Sequence, residues 1–174
     1  MEIRALQESD DRAAFRSGDP DIDRFFRQFA GQNQFRHHLG VSYVAVREQR
    51  VLGFATIAAA HIEVENLPAA ARKKAPRYPL PVLRMARLGV DESAQGQGIG
   101  LELLRFILLL GLKMAESYGC VGIVVDAKPG AADFYAKFGF IPMEAVEGAS
   151  AARPAPLPMF LSLRAIAQST GRRK

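Results

Sequence analysis

The sequence predicts a mixed α/β domain, of the α+β kind, built on a central sheet. Residues 41–47 and 51–60 are rich in β-branched and aromatic side chains and flank a short polar turn, which is typical of a β-hairpin. Residues 98–117 contain few polar positions, which indicates a long and largely buried helix. Strand and helix patterns then alternate towards the C-terminus. Together these patterns predict strands and helices that share one sheet.

The N-terminal part is predicted to begin with a short strand over residues 2–6. Asp19 followed by Pro20 indicates the start of a helix, because aspartate is a good N-cap and proline is tolerated at the first helical position. Apolar side chains then recur at helical spacing, which predicts a face directed to the core. These side chains are Ile22, Phe25, Phe26 and Phe29.

Four prolines interrupt residues 63–83, so that only a short helix over 67–74 is expected there. Residues 84–90 predict a strand that leads towards the long helix. The elements expected after that helix are a buried strand over 122–126, a helix over 130–137, and strands over 140–143 and 158–163.

The chain has 174 residues, of which 49% are hydrophobic and 24% charged, as in an ordinary globular domain. We expect one domain over residues 1–165 and a basic, disordered tail over 166–174. The single cysteine, Cys120, excludes an intrachain disulfide and is expected to be a small core residue. Three histidines and one cysteine also argue against a metal site.

Targeting signals are not expected in this sequence. Residues 1–20 are charged throughout, which is unlike a signal peptide, and the longest apolar stretch is too short to span a bilayer. We therefore expect a cytoplasmic protein with no membrane contact.

Positive charge is concentrated in two segments. Residues 66–90 hold six bases and no acid, and residues 148–174 hold five bases and no acid, whereas the remainder is net negative. This asymmetry predicts attraction to a polyanion, with a nucleic acid, a phosphorylated cofactor and an acidic protein as candidates.

Residues 88–100 predict a strand, a glycine-rich turn and the start of the long helix. Gly96, Gly98 and Gly100 remove side chains where the backbone turns, and the helix start adds free N–H groups and the positive end of its dipole. Such a turn can hold a pyrophosphate. It is neither a Walker loop, because no Gly-Lys-Ser/Thr follows, nor a clear dinucleotide fingerprint.

The glycine-rich turn and a later aromatic motif both resemble one known family. Gln95, Gly98 and Gly100 follow the Gln/Arg-x-x-Gly-x-Gly/Ala pattern of the GNAT superfamily of N-acetyltransferases, after a strand that ends in Val-Asp. The later Phe-Tyr-x-x-x-Gly-Phe pattern is present as Phe134, Tyr135, Gly139 and Phe140. The resemblance extends over residues 40–163 and implies the GNAT acyl-CoA N-acyltransferase fold, with a central, mostly antiparallel sheet and a strand–glycine-loop–helix cofactor site.

Nearly the whole chain resembles one branch of that superfamily, the acetyltransferase toxins of bacterial type II toxin–antitoxin pairs. The similar segments are residues 17–26, 30–34, 78–83 and 86–91. This resemblance implies acetylation of the amino group of aminoacyl-tRNA, which blocks translation. It also implies a homodimer, a ribbon-helix-helix antitoxin as partner, and contact with operator DNA only through that antitoxin.

The resemblance implies acetyl-CoA as the cofactor and assigns residues to it. Backbone pairing with the pantetheine arm and amide contacts to the pyrophosphate would come from Leu88, Gly89, Val90, Gln95, Gly96, Gln97, Gly98, Ile99 and Gly100. Tyr135 would act as the catalytic residue, near the thioester sulfur. Candidates for phosphate contacts of the tRNA are Lys73, Lys74, Arg77, Arg84 and Arg87.

Two other functions stay open at this point. One is an acetyltransferase for a small amine or a protein N-terminus, which would favour an acidic acceptor pocket. The other is a non-catalytic protein that binds acetyl-CoA or DNA as a regulator. The presence of Tyr135 argues against the non-catalytic regulator. The acid-free segment beside the motif strand argues against the acetyltransferase of a small amine or a protein N-terminus.

Overall fold

The computed structural model describes residues 1–143 and 155–171, with side chains up to residue 167. The chain divides into two compact units. The first contains Met1–Ala58 and Met85–Leu109, and the second contains Ala59–Arg84 and Leu110–Lys174. Strands β3 (Arg50–Ile62) and β4 (Leu80–Val90) and helix α4 (Ile99–Ser117) each contribute residues to both units.

The first unit contains the predicted hairpin. Besides its parts of β3, β4 and α4, its elements are β1 (Glu2–Ala5), α1 (Pro20–Arg24), a π-helical turn (Phe25–Phe29), α2 (Ala30–Phe35) and β2 (Val41–Arg47). Strand β2 pairs antiparallel with both β1 and β3. Glu48 and Gln49 form the hairpin turn with φ angles of 50° and 63°, which suits the right-handed twist of the two strands.

The N-terminal helix begins as predicted but does not continue as a regular α-helix. Asp19 accepts hydrogen bonds from the backbone N–H groups of Asp21 and Ile22 at 2.9 and 3.2 Å, so it is the expected N-cap. The chain then widens into the π-helical turn, where the N–H of Ala30 donates to the carbonyl of Phe25. The wider turn rotates Phe29 out of the predicted core face, and its side chain is 38% exposed.

Aromatic rings fill the core of the first unit. Phe26 stacks on Phe54 with ring centroids 4.2 Å apart, and Phe15 meets both rings edge-on. Phe26 and Phe54 are completely buried. Burial of such rings contributes about 1.5–3 kcal/mol each, so this cluster fixes α1 and the π-helical turn against the hairpin.

The second unit contains the C-terminal strands. Besides its parts of β3, β4 and α4, its elements are a 3-10 turn (Val64–Asn66), α3 (Ala69–Arg72), β5 (Gly122–Ala127), α5 (Ala132–Ala136), β6 (Ile141–Pro142), β7 (Leu157–Ser162) and α6 (Leu163–Gly171). Strand β7 pairs antiparallel with both β5 and β6. Gly122 is required at the β5–β7 contact, since a Cβ atom there would lie 2.3 Å from the ring of Phe160.

Within the described residues, the sheet has seven strands in the order β1-β2-β3-β4-β5-β7-β6. The predicted mixed α/β class is therefore confirmed. The boundary expected at residues 165/166 falls inside α6. The part of the expected tail up to Gly171 is therefore helical, and Ile166 of this helix is buried. Residues 172–174 lie outside the described residues. No helix in the described part of the chain is both long and apolar enough to cross a membrane.

Candidate active site

A buried aspartate braces the turn that follows β4. Asp91 is 4% exposed, and its carboxylate accepts hydrogen bonds from the Oγ of Ser93 at 2.5 Å and from the backbone N–H of Arg16 at 3.1 Å. Burial opposes ionisation, but these hydrogen bonds and the charge of Arg50 hold the pKa of Asp91 below its ordinary value. The turn is thus fixed by a charged group that does not face solvent.

Residues 95–100, called the glycine loop below, connect this turn to α4. Gly96 and Gly98 have φ angles of +75° and +79°, which side chains rarely adopt, and no heavy atom lies within 4 Å of the position of either missing Cβ. Gln95 braces the loop, because its Nε2 donates to the carbonyls of Ser17 and Val90 at 2.9 and 3.1 Å. The loop therefore offers open space beside backbone that glycine alone adopts easily.

The start of α4 supplies hydrogen-bond donors next to that space. Helix α4 begins at Ile99, and Glu102 is the residue whose N–H reaches back to the carbonyl of Gly98, at 3.1 Å. The N–H groups of Ile99, Gly100 and Leu101 precede that bond, so they have no carbonyl one turn earlier. Together with the positive end of the helix dipole, they can hold an anion such as a pyrophosphate.

The end of β4 is shaped by packing in the first unit. A Cβ atom at Gly89 would lie 2.7 Å from Cγ2 of Ile22 and 3.0 Å from Cε1 of Phe54. The packing of the aromatic core therefore requires glycine at position 89. The motif alone does not reveal this requirement. Leu88 and Val90 on either side of it are half-buried.

Arg87 also belongs to the packing of the first unit. Its guanidinium lies over the ring of Phe25, with Cζ 3.8 Å from the ring centroid. This distance is typical of a cation–π contact, which stabilises by about 0.5–2 kcal/mol. Arg87 is also a candidate for phosphate contact, and its guanidinium has this aromatic partner within the protein.

Tyr135 lies in α5 of the second unit and is 5% exposed. Its ring meets those of Phe134 and Phe140 edge-on, at centroid distances of 5.2 and 5.6 Å. Burial, and then the negative charge of Asp126, raise the pKa of the Tyr135 phenol above its ordinary value. The phenol therefore stays protonated and can act as a hydrogen-bond donor.

Asp126 is a residue that the sequence analysis missed. It lies near the end of β5, and its Oδ2 accepts from both Nε and Nη2 of Arg84, at 2.9 and 2.8 Å. The two side chains are 13% and 22% exposed. Arg84, a candidate for phosphate contact, is held in this ion pair. The one feature of the sequence that marks Asp126 is that it is the single acid in the otherwise apolar strand 122–127.

Residues 72–77, called the basic loop below, begin at the last residue of α3 and lead towards β4 in the second unit. Their cationic side chains are all exposed. The ion pairs found among the described residues involve none of them. The cationic residues are Arg72, Lys73, Lys74 and Arg77. Lys73, Lys74 and Arg77 thus remain candidates for phosphate contact.

The three histidines and the cysteine are the remaining candidates for proton transfer or metal binding. His37, His38 and His61 are exposed. Cys120 is buried, as predicted; burial raises the pKa of its thiol, and its Sγ lies 3.1 Å from the carbonyl of Gly122. Within the described ranges, no three side chains of His, Cys, Asp or Glu gather as a metal site.

The comparisons with known proteins agree with these features. Residues 38–142 match the model of the acetyltransferase (GNAT) domain family. The chain is 35% identical over 140 residues to a tRNA-acetylating toxin of Mycobacterium tuberculosis, a match that covers 79% of this chain and 82% of that protein.

Solved structures of one toxin, AtaT, share the fold. AtaT in complex with acetyl-methionyl-tRNAfMet matches with a TM-score of 0.83 and 25% identity, over 97% of this chain and 98% of that one. A mutant of AtaT bound to acetyl-CoA and to the C-terminus of its antitoxin AtaR matches with a TM-score of 0.77 and 23% identity, over 97% and 96% of the two chains. The implied fold, with its mostly antiparallel sheet, is confirmed.

Proposed function

Because the chain belongs to the acetyltransferase (GNAT) family, it is an N-acetyltransferase that uses acetyl-CoA, and we propose that its acceptor is the α-amino group of an aminoacyl-tRNA. Acetylation of that group blocks translation, so the protein would act as a toxin. The observation that carries this proposal is the 35% identity to a tRNA-acetylating toxin over 82% of that protein. The exposed cations of the basic loop, which form no ion pair with the described residues, support it.

The glycine loop and the end of β4 are the proposed binding surface for acetyl-CoA. The open positions at Gly96 and Gly98 and the N–H groups at the start of α4 suit a pyrophosphate. The backbone of residues 88–90 would pair with the pantetheine arm. When bound, acetyl-CoA supplies an acetyl group that is activated as a thioester.

Tyr135 is the proposed donor of a hydrogen bond to the leaving sulfur. A phenol of pKa ~10 transfers its proton to a thiolate of pKa ~8.5 only at a cost of about 2 kcal/mol. Burial and Asp126 raise the pKa of Tyr135 further, which makes full proton transfer still less favourable. Tyr135 therefore stabilises negative charge on sulfur as a donor rather than as a general acid.

The acceptor amine makes a strong general base unnecessary. A free α-amino group has a pKa of ~7.7–8.0, and the adjacent ester carbonyl of an aminoacyl-tRNA withdraws electrons and lowers that pKa. A useful fraction of the amine is thus neutral and nucleophilic at cellular pH. A lysine side chain, with a pKa of ~10.4, would need a base in the site.

The basic loop is the proposed contact for tRNA phosphates. Phosphate contacts supply most of the sequence-independent affinity for nucleic acids. Lys73, Lys74 and Arg77 are exposed and have no carboxylate partner among the described residues. Arg84 and Arg87 are left out, because their guanidinium groups already contact Asp126 and Phe25.

The partners implied by the toxin resemblance remain proposals. AtaT is found with its antitoxin, which supports an antitoxin partner here. The ribbon-helix-helix type of that partner is what the toxin resemblance implies. We further propose a homodimer, contact with operator DNA only through the antitoxin, and action in the cytoplasm, where charged tRNA is found.

Transfer of radiolabel from acetyl-CoA tests the proposed acceptor. The purified protein is incubated with charged bacterial tRNA, and in parallel with deacylated tRNA, small amines and peptides that have a free N-terminus. Label on charged tRNA alone is expected. Label on an amine or a peptide instead would favour the acetyltransferase of a small amine or a protein N-terminus.

A further inference from the structure

One aromatic ring stands out beside the basic loop. Tyr78 directly follows Arg77, and its side chain is 62% exposed, whereas Leu80, two residues later, is 3% exposed. An aromatic side chain usually buries 150–250 Å² in a core or an interface, and this burial is energetically favourable. The ring of Tyr78 is thus accessible to a partner, and its place beside the basic loop distinguishes it from Tyr118, which is 75% exposed.

The charge around Tyr78 selects the kind of partner. Four exposed cations lie within the six residues that precede it, and residues 66–90 contain no acid. The described ion pairs neutralise none of the four. An aromatic ring within such positive charge suits a nucleic acid, whose phosphates meet the cations while a base meets the ring.

The backbone on either side of Tyr78 is restrained. Pro76 and Pro79 each fix φ near −65°, and β4 begins at the buried Leu80. A restrained backbone lowers the entropy that is lost when a ligand orders the segment. The ring is therefore presented as a partly pre-organised platform.

We propose that the ring of Tyr78 stacks on an unpaired base at the 3′ end of the tRNA, while the basic loop contacts the adjacent phosphates. This inference rests on the proposed function and adds the contact that reads the single-stranded end. Stacking suits any base, because every base has an aromatic face. The contact thus serves recognition of tRNA in general rather than the choice of one tRNA.

Fluorescence anisotropy with two RNA probes tests this contact. The probes are deacylated bacterial tRNA with a 5′ fluorophore, and the same tRNA trimmed enzymatically to its paired acceptor stem. The full-length variants are Tyr78→Ala, Tyr78→Phe and the control Tyr118→Ala, whose side chain is 75% exposed just after α4. Circular dichroism compares the fold of each variant with that of the wild type.

Tyr78→Ala is expected to raise the Kd for intact tRNA about 5- to 150-fold, the range found for loss of one stacked base. It should leave the Kd for trimmed tRNA unchanged. Tyr78→Phe keeps the ring and should match the wild type on both probes, as should Tyr118→Ala.

Two kinds of result would overturn the stacking contact, and they are distinguished by whether the wild-type protein binds RNA. Equal weakening on both probes, or none on either, removes the stacking contact while the tRNA reaction stands. Failure of the wild-type protein to bind either RNA overturns the stacking contact, whereas the label-transfer assay with charged tRNA decides separately on the proposed acceptor.

Discussion

Arg84 donates two hydrogen bonds, through Nε and Nη2, to the single carboxylate oxygen Oδ2 of Asp126, at 2.9 and 2.8 Å. This pair joins β4 to β5 inside the second unit, and both side chains are mostly buried. The negative charge of Asp126 also acts on Tyr135, whose pKa is raised first by burial and then by that charge. Asp126 thus pairs with Arg84 and also acts electrostatically on the proposed catalytic residue.

Loss of Arg84 should destabilise the fold. In Arg84→Met, Asp126 keeps its charge in a largely buried site without its partner, which costs about 2–3 kcal/mol of unfolding free energy. Urea unfolding measures this change. The control is Arg105→Met, which removes the exposed pair with Glu102 and should cost under about 0.5 kcal/mol. Equal effects of the two substitutions would contradict the structural role of the Arg84–Asp126 pair.

Tyr135→Phe should keep the fold and acetyl-CoA binding but lower kcat about 100-fold, as does the loss of one pre-organised donor in other enzymes. Steady-state kinetics measures kcat, and calorimetry measures the Kd for acetyl-CoA. Tyr43→Phe is the matched control, because Tyr43 packs on Phe106 in the first unit. Unchanged turnover in Tyr135→Phe would remove this residue from the mechanism.

Two glycines of the same motif should respond differently to alanine. Gly89→Ala places a Cβ atom against Ile22 and Phe54 and should lower the unfolding free energy by about 1–3 kcal/mol. Gly98→Ala meets no atom within 4 Å, but it strains a φ of +79° and fills the open space beside the helix start. We expect its main effect to be weaker acetyl-CoA binding, by about tenfold. Calorimetry and urea unfolding separate the two effects, and a reversed pattern would contradict the assignment.

Acid should reduce the contribution of Asp91 to stability. The pKa of Asp91 is lowered in the folded state, so its stabilising effect is complete above the unfolded pKa of ~3.9 and is lost as the pH falls through the folded pKa. The difference in Tm between the wild type and Asp91→Asn should therefore be constant near neutral pH and shrink below about pH 4. A difference in Tm that does not change with pH would show that the Asp91 carboxylate stabilises the turn equally in both protonation states.

Charge reversal in the basic loop should weaken tRNA binding. The triple variant Lys73→Glu, Lys74→Glu and Arg77→Glu should reduce the slope of log K against log salt concentration by about one for each lost phosphate contact. The Kd for acetyl-CoA should not change. Lys113→Glu, at an exposed position of α4, is the control for a general effect of charge. Similar salt slopes in the triple variant and the wild type would place the RNA contact elsewhere.

The sequence was informative where neighbours along the chain determine the structure. The hairpin around Glu48 and Gln49, the N-cap at Asp19 and the glycine loop all depend on local backbone preferences, and all were predicted. The π-helical turn was not, since its register depends on how Phe25 and Phe26 pack on the distant Phe54.

Contacts between distant residues explain the remaining differences. Arg84 and Asp126 are 42 residues apart, and spacing gives no sign that adjacent strands bring them together. The packing of Gly89 against Ile22 and the contact of Arg87 with Phe25 depend in the same way on the fold of the first unit. Charge composition alone therefore does not reveal which cations already have partners within the protein.

The identity of the acetylated atom tests the central claim most directly. Charged bacterial tRNA is incubated with the protein and acetyl-CoA and digested with nuclease, and the released aminoacyl-adenosine is analysed by mass spectrometry. The account predicts an acetyl group on the α-amino nitrogen of the aminoacyl moiety, and none on the nucleotides or on deacylated tRNA. An unmodified aminoacyl-adenosine, obtained from a protein that binds acetyl-CoA, would contradict the proposed acceptor.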